Sequence, residues 1–292
     1  MSGAGRWILL LAAVSISWGS ILVRLCASGP LTIALYRVLF ATILIAPSGI
    51  PALRARRPTG RAIAAGAGAG LLLSLHFATW IASLSFTTIA SSTLLVSTQP
   101  VFSILFSWML LRERPAGRTF AAVGLALAGI AVITASDLSS GEGRLIGDLL
   151  ALAGAVFSAG YLVVGRALRA AVPFPGYLFI VNAGASIGAL VLVIVGGQSL
   201  TPQPVEVPWL LLMALVPQLL GHGGVNWAVR LLPVYLANLT VLAEPALASL
   251  YAYLLFGEVP APLLIPGALL VGAGVVLAFR AESRRREVSG AL

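Results

Sequence analysis

Apolar stretches about as long as a bilayer crossing follow one another along nearly the whole chain, separated by short polar or charged punctuation. Hydrocarbon about 30 Å thick needs roughly 20 apolar residues per helix, and only helices or closed barrels satisfy every backbone polar group there. Reading the apolar runs against turn and charge signals predicts ten helices, near 5–27, 30–47, 62–84, 89–111, 118–135, 146–168, 175–196, 208–231, 234–256 and 261–280. The first run, Trp7 to Ala27, follows Arg6 but is too long for the apolar core of a secretion signal, so it reads as the first helix.

The pattern repeats. A shift of 145 residues places Pro30 on Pro175, Pro100 on Pro245, Glu113 on Glu258, Pro115 on Pro260 and Gly129 on Gly274. The same shift sets Arg37 on Asn182 and Gln99 on Glu244, whereas His76 and His222 fall one residue out of register. Five spans per half is an odd number, so the second copy enters the bilayer upside down relative to the first. The expectation is an all-α integral membrane protein of ten transmembrane helices in two inverted five-helix repeats, residues 1–143 and 144–292, divided near the polar stretch 136–145.

Composition supports the membrane reading: 59% of residues are apolar and 9% charged, against roughly a quarter charged in soluble domains. The net charge of +9 suggests no nucleic-acid partner, because the arginines sit in loops and tails rather than on one stripe. One set of loops holds Arg6, Arg54, Arg56, Arg57, Arg61, Arg112, Arg114, Arg118, Arg166, Arg169, Arg230, Arg280 and Arg284 to Arg286. The other holds Arg24 and Arg144, with Asp137, Glu142, Asp148, Glu206 and Glu258. By the positive-inside rule both termini are expected in the cytoplasm. The lone cysteine, Cys26, has no partner for an intramolecular disulfide and reads as packing.

Several motifs resemble the EamA-type members of the drug/metabolite transporter superfamily: VSISWGS at 14–20, LYRVLFA at 35–41, LLVSTQPVFSILFSWMLLRERP at 94–115 and LTVLAEPALASLYAYLLFGEVP at 239–260. The proline followed by glutamate thirteen residues later occurs twice. Within the superfamily the look is closest to bacterial exporters of aromatic amino acids, the YddG type. The resemblance implies ten helices in two repeats, alternating access and export of amino acids or related metabolites across a bacterial inner membrane. Sugars, nucleotide derivatives and drugs remain open as substrate classes, since one fold serves many solutes.

Polar groups in hydrocarbon demand a partner or a wet cavity, which locates the candidate site. Glu244 is the acidic residue deepest in a span and precedes Pro245, as Gln99 precedes Pro100. A proline inside a helix frees a carbonyl and bends the helix, so Pro100 and Pro245 are expected hinges, and Gln99 and Glu244 either line a cavity or satisfy loosened backbone. Arg37 is a counter-ion for Glu244 or for a substrate carboxylate, or it snorkels to the interface. His76 with Trp80, and His222 with Asn226 and Trp227, share helical faces in equivalent spans and either pass protons or bond backbone carbonyls. Trp18, Trp80, Tyr161 and Trp227 offer aromatic surface, and Asn182 is the counterpart of Arg37. Trp7, Trp108 and Trp209 fall at span ends and read as interfacial anchors. Glu113 and Glu258 also lie at span ends, where capping or pairing is expected. Glycines 66, 68 and 70, 124 with 129, and 272 with 274 are expected to let helices approach.

Neither a G-x-x-x-x-G-K-[ST] loop nor any lysine occurs, which excludes ATP-driven pumping by this chain alone. An intramembrane enzyme is the rival class, but H-E-x-x-H and G-x-S-x-G are absent as well. The expected protein is therefore not an enzyme, needs no cofactor or metal, acts as a monomer in the lipid bilayer and moves a small-molecule substrate.

Overall fold

The computed structural model describes residues 3–111, 117–138, 142–231 and 244–290, and all regular structure among them is helical. In chain order the elements are α1 (Gly3–Ser17), α2 (Gly19–Arg24), α3 (Pro30–Arg56), α4 (Gly60–Ser83), α5 (Ile89–Val96), α6 (Gln99–Leu111) and α7 (Gly117–Leu138). Then come α8 (Glu142–Leu168), α9 (Phe174–Val195), α10 (Val207–Met213), a π-helical stretch (Ala214–His222), α11 (Gly223–Leu231), α12 (Glu244–Phe256) and α13 (Leu264–Gly290). Among the described residues, six helical stretches are long and apolar enough to cross a membrane: Pro30–Arg56, Gly60–Ser83, Ile89–Leu110, Arg144–Leu168, Phe174–Val195 and Pro204–Arg230. Shorter apolar helices lie at Leu10–Arg24, Phe120–Ile133 and Leu264–Gly274. The first half of the expected span 234–256, and Glu113 with Pro115, lie outside the described residues.

Local sequence explains most boundaries. Thr59 and Thr88 stand extended at the N-caps of α4 and α5, and their hydroxyls accept the N–H groups of Ala62 and Ser91. Pro30 opens α3, where its missing N–H costs nothing. One boundary departs from the expected one: α3 runs past residue 47 to Arg56, carrying Pro47 and Pro51 inside it. It ends where Arg57, at φ 48°, takes the left-handed conformation and donates its N–H to Leu53 O. Span four is also more broken than a simple proline kink. Its interruption lies at Ser97–Thr98, so Pro100 sits in the first turn of α6, and Thr98 Oγ1 donates to Leu95 O at 2.6 Å.

Helices α3 and α9 pack along their lengths and run antiparallel. Leu31, at the start of α3, donates its N–H to Gln198 beyond the end of α9 at 2.9 Å; midway, Thr42 and Ser186 hydroxyls are 3.1 Å apart; Gly49 lies against Phe179 near the start of α9. Helices α7 and α13 cross antiparallel through glycines. A Cβ on Gly129 would sit 2.7 Å from Gly267 O, and one on Gly274 would sit 2.6 Å from Ala126 N. Gly70 is equally tight against α9, where a Cβ would meet Val181 O at 2.4 Å. The expectation fails for Gly68, Gly124 and Gly272, which face open space and mediate no close approach.

Other packed pairs exchange when the two halves are exchanged: α4 on α8 corresponds to the π stretch and α11 on α1, α4 on α9 to α10 and the π stretch on α3, and α6 on α8 to α12 on α1. The main core, which includes Phe77, Leu73, Tyr161, Leu162 and Val225, draws on α4, α8 and α11 among other helices.

Candidate functional site

Six of the described segments turn polar side chains toward one central cavity. It is lined by Ile16 of α1, Arg37 of α3, His76 and Trp80 of α4, Val96 and Gln99 at the span-four break, Ser158, Tyr161 and Leu162 of α8, His222 and Val225 around the π stretch, and Glu244 of α12. Its volume is about 20 Å³, room for roughly one water molecule and for no organic solute. Seven candidates thus meet at one place: Arg37, His76, Trp80, Gln99, Tyr161, His222 and Glu244.

Arg37 is 1% exposed and held on three sides. Its Nε donates to Gln218 Oε1 at 3.0 Å, and Gln218 Nε2 donates to Asn182 Oδ1 at 3.0 Å. Asn182 Nδ2 in turn donates to Leu178 O at 2.8 Å. The guanidinium carbon lies 3.9 Å from the Phe77 ring centre and 5.6 Å from that of Trp80, a geometry in which the ring quadrupole attracts the cation. Its Nη1 has no hydrogen-bond partner. Burial of this arginine rules out the snorkelling alternative for this conformation. Glu244, 5% exposed, lines the same cavity without coming within 4.0 Å of the guanidinium. Two opposite charges therefore face one small space without a direct ion pair.

The histidines lie 5.9 Å apart, ring centre to ring centre. His76 Nδ1 is 2.9 Å from Gly154 O, the backbone carbonyl that was one expected partner. His222 Nδ1 is 3.3 Å from Tyr161 Oη, which also accepts from Asn226 Nδ2 at 3.1 Å. Gln99 accepts a short hydrogen bond from Ser158, so its partner is a side chain of α8 rather than loosened backbone. Four expected residues, Trp18, Asn182, Asn226 and Trp227, stand outside the cavity lining. Asn182 lies behind Arg37; Trp18 stacks on Tyr251 at 4.9 Å; Trp227 packs half-buried on the core. Asn226 touches the site only through Tyr161 and the carbonyl of His222.

The π-helical stretch explains the one-residue offset between His76 and His222. An i→i+5 turn encloses one residue more than an α turn, so residues after it move from a shift of 145 to 146 relative to α4. Pro217 lies inside this stretch and cannot donate to an α-helical ladder. The wider turn presents both Gln218 and His222 inward. Gln218, Ser158 and Phe77 were not among the expected residues. Gln218 carried a usable signal, a polar residue beside a proline within an apolar span.

At the opposite extreme of depth, polar groups hold helix ends. Glu258 accepts the N–H of Ile89 at 2.6 Å and approaches Arg24 at 3.8 Å, as the capping and pairing expectation anticipates. Glu206 accepts the N–H groups of Ala27 and Ser28 at 2.6 and 3.0 Å. Trp7, Trp108 and Trp209 are all exposed on the helical surface. No group of three or more metal-ligating side chains occurs among the described residues.

An all-helical chain with several bilayer-length helices and a buried, charged central cavity belongs to the multi-pass membrane proteins that handle solutes. More narrowly, it belongs to the EamA-like transporter family, whose model matches residues 5–135 and again 145–280. The Solute carrier family 35 model matches residues 78–210. A relative from Streptantibioticus cattleyicolor, named "Probable terminal-alkyne amino-acid exporter", is 28% identical over 97% of this chain and 96% of its own. Proteins named "Uncharacterized transporter" from Clostridium kluyveri and Archaeoglobus fulgidus are 23% and 25% identical, over 97% and 94% of this chain and 96% of each relative. A protein of known crystal structure superimposes with a TM-score of 0.68 at 21% identity, covering 97% of this chain and all of that one, and so shares the fold.

Proposed function

We propose that this EamA-type transporter is a secondary carrier that exports amino acids, including aromatic and other neutral ones, across a bacterial inner membrane by alternating access. The observation that carries the reading is the central cavity, where Arg37 of the first half and Glu244 of the second face each other without direct contact. A guanidinium edge suits a carboxylate, and a carboxylate across the cavity suits an ammonium group or a proton. The named exporter among the relatives agrees with this class.

The two halves act as inverted five-helix repeats that rock about the cavity. In support, α3 and α9, which are equivalent under the 145-residue shift, run antiparallel, and so do α7 and α13. Two equivalent helices that cross antiparallel imply a twofold axis perpendicular to them, hence in the membrane plane. The narrow cavity opens to admit substrate as the halves move, and the break before Pro100, with Pro245 as its counterpart, is the moving joint. Both termini lie in the cytoplasm, with the arginine bias as support.

Counterflow tests the reading. Liposomes holding purified protein and an unlabelled amino acid should accumulate the labelled one, with phenylalanine, tryptophan, threonine and methionine as the panel. Silence across that panel, with counterflow of a sugar or nucleotide derivative, would replace the amino-acid assignment. Glu244→Gln then separates coupling from binding: if Glu244 carries protons, the variant loses the pH dependence of net transport and keeps exchange.

A further inference from the structure

The bonds around Arg37 are unevenly spent, and the inequality has a source in the backbone. Its Nε is taken by Gln218, one face of the guanidinium is covered by Phe77, and Nη1 is buried with no partner. A buried donor without an acceptor is costly, and more so when it carries charge. The rotamer that leaves it so must therefore be held by something else. Gln218 holds it. Gln218 is itself fixed by Asn182, which is fixed by the carbonyl of Leu178, so a chain of three hydrogen bonds runs from α9 to the cavity. Each link is buried.

The π-helical stretch carries the middle member of this chain. Gln218 follows Pro217 within it, at the place where the turn is widened by one residue. The same stretch carries His222 to Tyr161 on the other side of the cavity.

Building on the amino-acid reading above, we propose that Gln218 is the positioning residue of a carboxylate subsite. It fixes Arg37 at the cavity wall, and the Nη1 that is left buried without a partner is the donor reserved for the carboxylate of the substrate. The subsite selects acids over their amides and esters, because a neutral amide returns no charge to the buried cation. Gln218 acts through Arg37 and need not touch the substrate.

The test compares counterflow of labelled phenylalanine with that of labelled phenylalaninamide in proteoliposomes of the full chain. Wild type should prefer the acid by at least about tenfold, the size of one charge-assisted hydrogen bond. Gln218→Leu should raise the KM for the acid about tenfold, leave that for the amide unchanged, and so erase the preference. Gln218→Glu keeps an acceptor for Arg37 Nε and should restore part of it. Asn182→Leu breaks the chain one link further back and serves where Gln218→Leu does not yield folded protein; it should shift the ratio in the same direction, by less. An unchanged acid-to-amide ratio in Gln218→Leu, with Arg37→Gln abolishing it, would overturn the positioning role and leave the carrier reading intact. Equal transport of acid and amide by wild type would overturn the subsite itself. Absence of any amino-acid counterflow by wild type would overturn the carrier reading, and this inference with it.

Discussion

The polar side chains at the helix ends and those at the centre behave differently. Glu206 just before α10, Gln198 after α9 and Glu258 after α12 accept hydrogen bonds from backbone N–H groups of the α2–α3 loop, of α3 and of α5, joining residues far apart in sequence. At the centre, Arg37, Gln218, Asn182, Gln99, Ser158, Tyr161 and Asn226 bond mainly to one another. They also leave Arg37 Nη1, Trp80 Nε1 and Asn226 Oδ1 buried without partners. Groups that satisfy backbone fix the fold. Cavity-lining groups that keep a donor in reserve, as Arg37 and Trp80 do, offer a ligand the place of the missing partner.

Substitutions should therefore divide between the two regions. The largest effect on transport is expected from Arg37→Gln, with counterflow of acids falling at least about tenfold. Its thermal unfolding temperature should hold or rise, because a buried, unpaired charge is removed. A large loss of stability with proportionate loss of transport would make Arg37 a structural residue. Glu206→Ala should reverse the pattern: two part-buried N–H groups lose their charged acceptor, costing about 1 kcal/mol, while the protein that remains folded transports at the normal rate. Thermal melts paired with counterflow per folded molecule distinguish the cases.

Smaller effects sharpen the division at the rim. Glu258→Gln retains an acceptor for Ile89 N–H and loses only the part-exposed pair with Arg24, so stability should change by less than about 1 kcal/mol. Glu258→Ala loses the acceptor as well and should cost about 1 kcal/mol more, the usual worth of a helix cap. Equal melting temperatures for the two would show that the cap contributes nothing. Thr42→Val is expected to do least, since Thr42 bonds Val38 O within its own helix and meets Ser186 only at 3.1 Å.

Much of this was legible in the chain itself. The apolar runs marked the helical stretches because backbone in hydrocarbon has few alternatives, and the recurrence of Pro30, Pro100, Gly129 and Glu113 at one shift exposed the repeat. Arg37, His76, Gln99, His222 and Glu244 stood out because polar residues are rare in such runs. Other features depend on three-dimensional context. The expected second span ended near 47, yet α3 continues through Pro47 and Pro51 to Arg56. Trp18 and Trp227 share the composition of cavity aromatics, but helix rotation turns them away from the lining. Ser158 and Phe77 carry no distinguishing signal, since a serine or phenylalanine in an apolar helix is ordinary. The π turn appeared in the sequence only as a one-residue slip between two histidines, and its meaning required the backbone.

The central claim is that the substrate occupies the cavity between Arg37 and Glu244. Ser158 lines that cavity, and Cys26 is the only cysteine in the chain. A Cys26→Ser protein carrying Ser158→Cys therefore reports on the cavity alone through its rate of modification by a small methanethiosulfonate reagent. Transported amino acids should slow that modification in proportion to their counterflow affinity, and their amides should not. Modification unaffected by saturating substrate, in protein that still transports, would place the substrate elsewhere and contradict the account.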